Sequence, residues 1–375
     1  MIPSRLRYPG NSLLGRRYPE PPHPYRSDFQ RDRDRIVHAR AFRRLEDKTQ
    51  VFGPGFSDHF RNRLTHTIEV TQIGRTLAGA LGLNEDLTEA LALAHDIGHP
   101  PFAHAGEDAL NAEMQRYGDR FNHNLHALRI VESFEQRYAR FTGLNLTFEV
   151  REGIVKHSKD IAPGDEPEFE EYLPGEKPPL EAQLIDLADE CAYNTADLDD
   201  GYSAQLFAAE EIAASVPQYG ELFAAASGQF PDAGEGILFQ EVLRRLIDLL
   251  VTGLIEGTLQ EVAQAAVSTI EEVRQYPRRL VVMTPESAAT NTALKRLLHR
   301  RVYSTSHLVE ERENAAAAIS RLFRFFMEYP AQLPASHLER TSQQPLHRVV
   351  CDYIAGMTEG FFHKTESRLL GSFSR

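Results

Sequence analysis

Residues 63–107, RLTHTIEVTQIGRTLAGALGLNEDLTEALALAHDIGHPPFAHAGE, set two apolar helices against a turn crowded with titratable side chains. His66, Val70, Ile73, Leu77 and Leu81 recur at spacings of three and four, the stripe of one helix beginning near Leu64. Asn84 is placed to cap a second helix with the stripe Leu87, Leu91 and Ala94, ending at His95-Asp96. The next eleven positions hold Gly98, two prolines, His99, His104 and Glu107. Helical period continues on both sides. SDFQRDRDRIVHARAFRRLEDKTQVF (27–52) opens on a Ser27/Asp28 cap, and FGPGFSDH (52–59) breaks it with two glycines and a proline. LEAQLIDLADECAYNTADLDDG (180–201) reads as a strong helix, and most of 205–375 is helical in pattern. The segment 278–285, RRLVVMTP, is expected to form one short strand. Helical pattern dominates, so the fold class is all-α.

Residues 1–27, rich in Pro, Arg and Tyr, read as an irregular arm. Residues 28–204 form the expected helical core. Within it, 161–179 combines five prolines with acidic residues and reads as an exposed loop or flap. Residues 205–375 form a helical C-terminal region expected to pack on that core. The 375-residue chain is 42% hydrophobic and 25% charged, ordinary globular values. No uncharged apolar run reaches membrane-spanning length; the best, at 246–255, is interrupted by Asp248 and bounded by Glu256. Two cysteines, Cys191 and Cys351, cannot build a disulfide framework, and with no targeting signal a cytoplasmic location is expected. Net charge is 41 − 54 = −13, against general nucleic-acid binding. Residues 1–80 nevertheless carry 15 − 8 = +7 and the remainder 26 − 46 = −20, which suggests a local anion site or a solvated basic face.

Three polar placements stand out. His66 lies on an apolar stripe, where a histidine is usually satisfied in the core and sometimes a ligand. His95-Asp96 ends an apolar helix, where both side chains can converge on one ion. In 180–198 the stripe Ala182, Ile185, Ala192, Ala196 passes through Asp189. A carboxylate on a core-facing stripe needs a cation or strong donors, either a metal or an arginine such as Arg63. Together His66, His95, Asp96 and Asp189 make a two-imidazole, two-carboxylate set. Such ligation suits Mn²⁺, Fe²⁺, Co²⁺, Ni²⁺ or Zn²⁺, with Mg²⁺ also admissible.

The order H…HD…D, with HDIGHPPFAHAGE, RLTH, FNHN and EAQLIDLADECAYNTADLDDG, resembles the HD-domain metal-dependent phosphohydrolases, and among them the bacterial deoxynucleoside triphosphate triphosphohydrolases. The likeness covers roughly 27–200 and implies an HD-domain helical core. It implies hydrolysis of a dNTP, dGTP among them, to deoxynucleoside and inorganic tripolyphosphate. By the same resemblance His66, His95, Asp96 and Asp189 hold the metal, and His104 and Glu107 are the catalytic pair. Gln50, Arg63, His99, His123, Tyr193 and Asp197 bind substrate, with Tyr193 and Asp197 at the sugar 3′-hydroxyl. Arg43, Arg44 and Lys48 are further candidates for phosphate clamps. Glu107, three residues after His104, is expected to orient that imidazole. The resemblance also implies a homo-oligomer, a hexamer among its forms, and activation by dNTPs at separate sites.

Plainer readings stand beside these: His104 as a surface histidine, Glu107 as a helix-surface acid, Tyr193 as a core aromatic. Lys156-His157 is placed either to approach phosphate or to serve a helix end, and Cys191 reads as packing. One position departs from the family pattern: His126 stands where Gln or another neutral residue is expected, an imidazole that either alters metal or phosphate contacts or changes nothing. Rival functions are another HD phosphohydrolase, acting on a nucleoside monophosphate, a cyclic nucleotide or an alarmone, and a non-catalytic protein binding nucleotides or single-stranded DNA.

Overall fold

Local signals at helix ends set the architecture. Asn62 accepts from Thr65 N while Thr65 Oγ1 accepts from Asn62 N, a reciprocal cap that starts helix Arg63–Leu81. Gly82, at φ 77°, ends it, and the Asn84 side chain accepts from Leu87 N to start helix Glu85–Ala94 at once. Ser27 and Gln30 form the same kind of cap on helix Asp28–Val37. A computed structural model describes residues 1–52 and 60–373, and every regular element among them is helical. The fold class is all-α, as the sequence predicts. Most of the Gly/Pro break at 52–59 lies outside the described residues.

Helices Arg63–Leu81, Glu85–Ala94 and Leu180–Ser203 pack together at the centre, with Asp28–Val37 and Phe148–Val155 against them. Val70, Leu77, Leu87, Leu91, Leu184 and Ile185 are in their shared core. The same core extends through helix Glu235–Ala265 and reaches Leu308. A second core joins helix Ala103–Gln115 to Ser306–Glu328, Leu346–Ala355 and Glu359–Phe373 through Leu110, Met114, Phe323, Phe326 and Val350. The region beyond 205 therefore contributes to both cores, and helix Ala103–Gln115 is shared between the sequence-defined core and the C-terminal helices.

The expected strand at 278–285 does not form. Residues 281–284 form no regular element, and amides of the segment are taken by helices rather than by a neighbouring strand. Leu280 N donates to Gln183 Oε1 at 2.7 Å and Thr284 N to Gly253 O at 2.9 Å. A run of β-branched residues records only extended, buried backbone; what pairs with it is decided elsewhere in the chain. The 161–179 segment shows its acidic residues at the surface yet is anchored, with Phe169 and Tyr172 fully buried.

The N-terminal arm lacks regular structure beyond one short turn but is held in place. Glu149, fully buried, accepts from Tyr8 Oη at 2.7 Å, Ser12 Oγ at 2.6 Å and the amides of Leu13 and Leu14. Glu181 accepts from Tyr8 N at 2.9 Å and Asn84 N at 3.0 Å, linking the arm to the start of the central helix. No helix among the described residues is long and apolar enough to cross a membrane. Glu149→Ala leaves four donors without their acceptor. We expect about 2–4 kcal/mol of lost stability and faster tryptic cleavage at Arg16 and Arg17, read by denaturant melts and limited proteolysis.

Candidate metal centre and substrate pocket

His66 sits in the first turn of helix Arg63–Leu81, His95 and Asp96 just past helix Glu85–Ala94, and Asp189 midway along Leu180–Ser203. Because these helices pack side by side, the four side chains converge. His66 Nε2 lies 2.8 Å from Asp189 Oδ1, and His95 Nε2 lies 3.8 Å from the same oxygen and 3.6 Å from Asp96 Oδ1. His95 Nδ1 lies 2.6 Å from Ala92 O, which can only accept. The proton is therefore on Nδ1, and the buried Nε2, which has no hydrogen-bond partner among the described residues, presents a lone pair to the cluster. Ligand atoms of His66, His95 and Asp96 lie within 4.8 Å of one another, as do those of His95, His157 and Asp189. Acceptor atoms aimed at one another in a largely buried site are the arrangement a cation relieves, and the mixed N/O set fits a divalent ion.

Arg63 is not the partner of Asp189. Its Nη1 donates to Asp96 Oδ2 at 2.6 Å, so Asp189 meets imidazoles instead. Burial opposes ionisation of Asp96, but His99 and Arg63 hold its carboxyl well below the usual range. Burial keeps His95 neutral, the form that can ligate, and burial together with Arg63 does the same to His99. Burial opposes charge on His66 as well, but Asp189 beside it outweighs that and raises its pKa.

The turn after His95-Asp96 depends on Gly98. A Cβ there would lie 2.1 Å from His123 O, so only glycine lets helix His123–Arg129 come this close. The approach stacks the His123 ring on His99, centroids 4.0 Å apart. Glu107 accepts from His123 N at 2.9 Å and lies 2.8 Å from His123 Nδ1, while His104 Nδ1 is 3.5 Å from its other oxygen. The carboxylate thus grips His123 more closely than His104, the partner its spacing suggested. Burial opposes its charge, yet hydrogen bonds from His104 and His123 hold the Glu107 carboxyl far below its usual range. His104 itself is exposed at the pocket wall.

A cavity of about 1210 Å³ opens over this floor. Ten of the twelve sequence-predicted site residues line it: Gln50, Arg63, His66, Asp96, His99, His104, His123, Asp189, Tyr193 and Asp197. His95 and Glu107 stand behind that wall. Of the arginine and lysine candidates, Arg63 alone lines the cavity. Arg44 donates to Gly356 O and Lys48 to His99 O, both structural, and Arg43 is not at the wall. Lys156 is buried on Glu152, whereas its neighbour His157 lines the cavity, 2.8 Å from Asp186 and 3.9 Å from Asp189. His126 is absent from the cavity wall. It is buried between Phe121 and Phe134, neither ring nitrogen is hydrogen-bonded among the described residues, and burial keeps it neutral. Cys191 is buried packing.

Further lining comes from the C-terminal region, for which the sequence offers no signal. Tyr303, in a wide turn at His299–Tyr303, donates its hydroxyl to the Asp197 carboxylate. Arg312, Arg321, Glu359 and His363 also face the cavity. Burial pushes the Asp197 carboxyl up to about 7 despite the Tyr303 bond.

Residues 63–194 match the HD domain model and 281–368 match the phosphohydrolase-associated domain model. Deoxyguanosinetriphosphate triphosphohydrolase-like proteins of Ralstonia nicotianae and of an Azoarcus species are 45% and 46% identical, over 95% of this chain and 91% and 93% of theirs. That of Thiobacillus denitrificans is 44% identical over 98% of both. The chain belongs to the deoxyguanosinetriphosphate triphosphohydrolase-like family. As a member it is a metal-dependent phosphohydrolase, with His and Asp groups positioned to bind a metal ion. Both matched regions contribute to the cavity: the HD stretch carries the acceptor cluster, and the associated stretch carries Tyr303, Arg312 and Glu359.

Two outcomes follow from this geometry. His95→Ala and Asp96→Ala should each lower Mn²⁺ affinity at least about tenfold while far-UV circular dichroism stays helical; metal content after dialysis checks this. Asp197, whose folded pKa lies above its ordinary 3.8, adds stability that is complete below pH 4 and lost as pH rises through about 7. Asp197→Asn should therefore make the metal-free protein more stable at pH 8, by roughly 2–4 kcal/mol, and change it little at pH 4, read by denaturant melts at the two values.

Proposed function

We propose that this family member hydrolyses deoxynucleoside triphosphates, dGTP among them, to the deoxynucleoside and inorganic tripolyphosphate. The carrying observation is one cavity that holds, on a single floor, a buried carboxylate–imidazole cluster, an arginine, and an exposed histidine backed by a carboxylate. Its volume suits a nucleotide. The relatives' printed names point to the same substrate class.

In this reading His66, His95, Asp96 and Asp189 hold the divalent ion, Mn²⁺ or Mg²⁺. When bound, the ion supplies Lewis-acid polarisation of the innermost phosphoryl group. Arg63 is committed to Asp96 through Nη1 and lines the cavity, so its guanidinium charge faces the phosphates. Neutral His99, stacked on His123, adds polar contact for the same chain of phosphates. His104 protonates the leaving 5′-oxygen, and Glu107 stabilises the protonated ring and fixes its neighbour His123. Gln50 meets the sugar. Tyr193 and Asp197, one helical turn apart on the cavity wall, meet the 3′-hydroxyl, with Tyr303 bracing Asp197.

Incubation with each dNTP and Mn²⁺ or Mg²⁺, followed by product identification, tests this. We expect deoxynucleoside and intact tripolyphosphate; pyrophosphate plus monophosphate, orthophosphate alone, or turnover only of a nucleoside monophosphate or cyclic nucleotide would overturn it. Dideoxynucleoside triphosphates, lacking the hydroxyl assigned to Tyr193 and Asp197, should show kcat/KM reduced roughly tenfold or more.

A further inference from the structure

The turn that presents His104 is strained. Phe102 and Ala103 have φ of 64° and 52°, two successive non-glycine residues in the left-handed region. Such backbone persists where its surroundings over-determine it. Here the surroundings come from the far end of the chain. Glu359, in the first turn of the last helix and nearly buried, accepts from Phe102 N through Oε1 at 3.0 Å. The same oxygen accepts from Thr49 N at 2.8 Å, and Oε2 accepts from Thr49 Oγ1 at 2.6 Å. The Phe102 ring packs edge-on against Phe362, centroids 5.1 Å apart at 89°. Lys48 adds a parallel tie, donating to His99 O and to Ala355 O.

One carboxylate thus joins two remote stretches of the cavity floor. Thr49 immediately precedes Gln50, and Phe102 lies two residues before His104. We propose that Glu359 is a positioning residue for the hydrolysis: from the C-terminal region it fixes the Phe102–Ala103 turn that aims His104 and, through Thr49, the backbone that carries Gln50. This rests on the roles given to His104 and Gln50 above. A carboxylate suits the task because it only accepts, and three donors converge on it. Glutamine at the same place keeps an oxygen for the two amides and offers its NH₂ to Thr49 Oγ1. Alanine leaves all three donors without their acceptor and releases the turn.

The test uses full-length, metal-loaded protein at saturating and limiting dGTP. Glu359→Ala should lower kcat roughly tenfold at unchanged metal content, because the reacting histidine is misplaced. Glu359→Gln should stay within about twofold of the parent. Thr49→Val, which cuts only the side-chain bond toward Gln50, should raise KM about threefold with kcat kept. Hydrogen exchange of peptides spanning 99–107 should speed up in Glu359→Ala and not in Glu359→Gln. Glu359→Asp, which withdraws the carboxylate by one methylene, carries the same expectation at smaller size and replaces the alanine variant if that does not fold. Parent-like kcat in the alanine variant, equal impairment of the glutamine and alanine variants, or unchanged exchange at 99–107 would overturn the proposal. If the parent releases no tripolyphosphate from any dNTP, the functional reading fails on its own, and exchange at 99–107 then decides whether Glu359 holds the turn.

Discussion

Asp96 and Asp189 draw the surrounding structure into place because neither carboxylate can be left uncompensated where it sits. Removing such groups from water is costly, and the cost falls when opposite charge or donors face them. Arg63 and His99 meet Asp96, and His66 meets Asp189. The central trio of helices must therefore pack in the register that joins these partners. An apolar core alone would tolerate several sliding registers of helix on helix; a buried set of charges and imidazoles tolerates few. Specific packing of Leu77, Leu87 and Ile185 and placement of the acceptor cluster are two aspects of the same arrangement.

Much of this was legible in the sequence because it is local or periodic. The helical class, the cap at Asn84, and the stripe that carries Asp189 inward were legible from capping residues and from spacings of three and four. Gly98 could be read as a turn former, but its actual role, admitting His123 O, involves a helix that the turn's own residues do not specify. The 278–285 segment was misread for a related reason: its composition reports burial and extension, while Gln183 and Gly253, distant in sequence, satisfy its amides. Arg43 and Arg44 looked like phosphate clamps from charge alone, yet charge carries no direction, and Arg44 is engaged by Gly356 O.

The residues that sequence reasoning missed share one property. Tyr303 reaches Asp197 across 106 positions, and Glu359 reaches Thr49 across 310. No period or motif near Tyr303 or Glu359 announces a cavity, because the cavity exists only once the C-terminal helices dock on helix Ala103–Gln115. His157 is intermediate. It was noticed beside Lys156, but which of the two would face the cavity depended on how helix Phe148–Val155 ends, and that places the imidazole inward and the ammonium on Glu152.

The pinned N-terminal arm has a consequence for how the protein is made. Its acceptors Glu149 and Glu181 are translated more than 140 residues after Tyr8. At ordinary elongation speeds that delay is on the order of 10 s. Through that interval the Tyr8 hydroxyl and amide lack the carboxylates that hold them in the finished protein. Final anchoring of the arm therefore waits on helix Leu180–Ser203, so residues 1–27 are locked onto the core only after the helices they cover have been made.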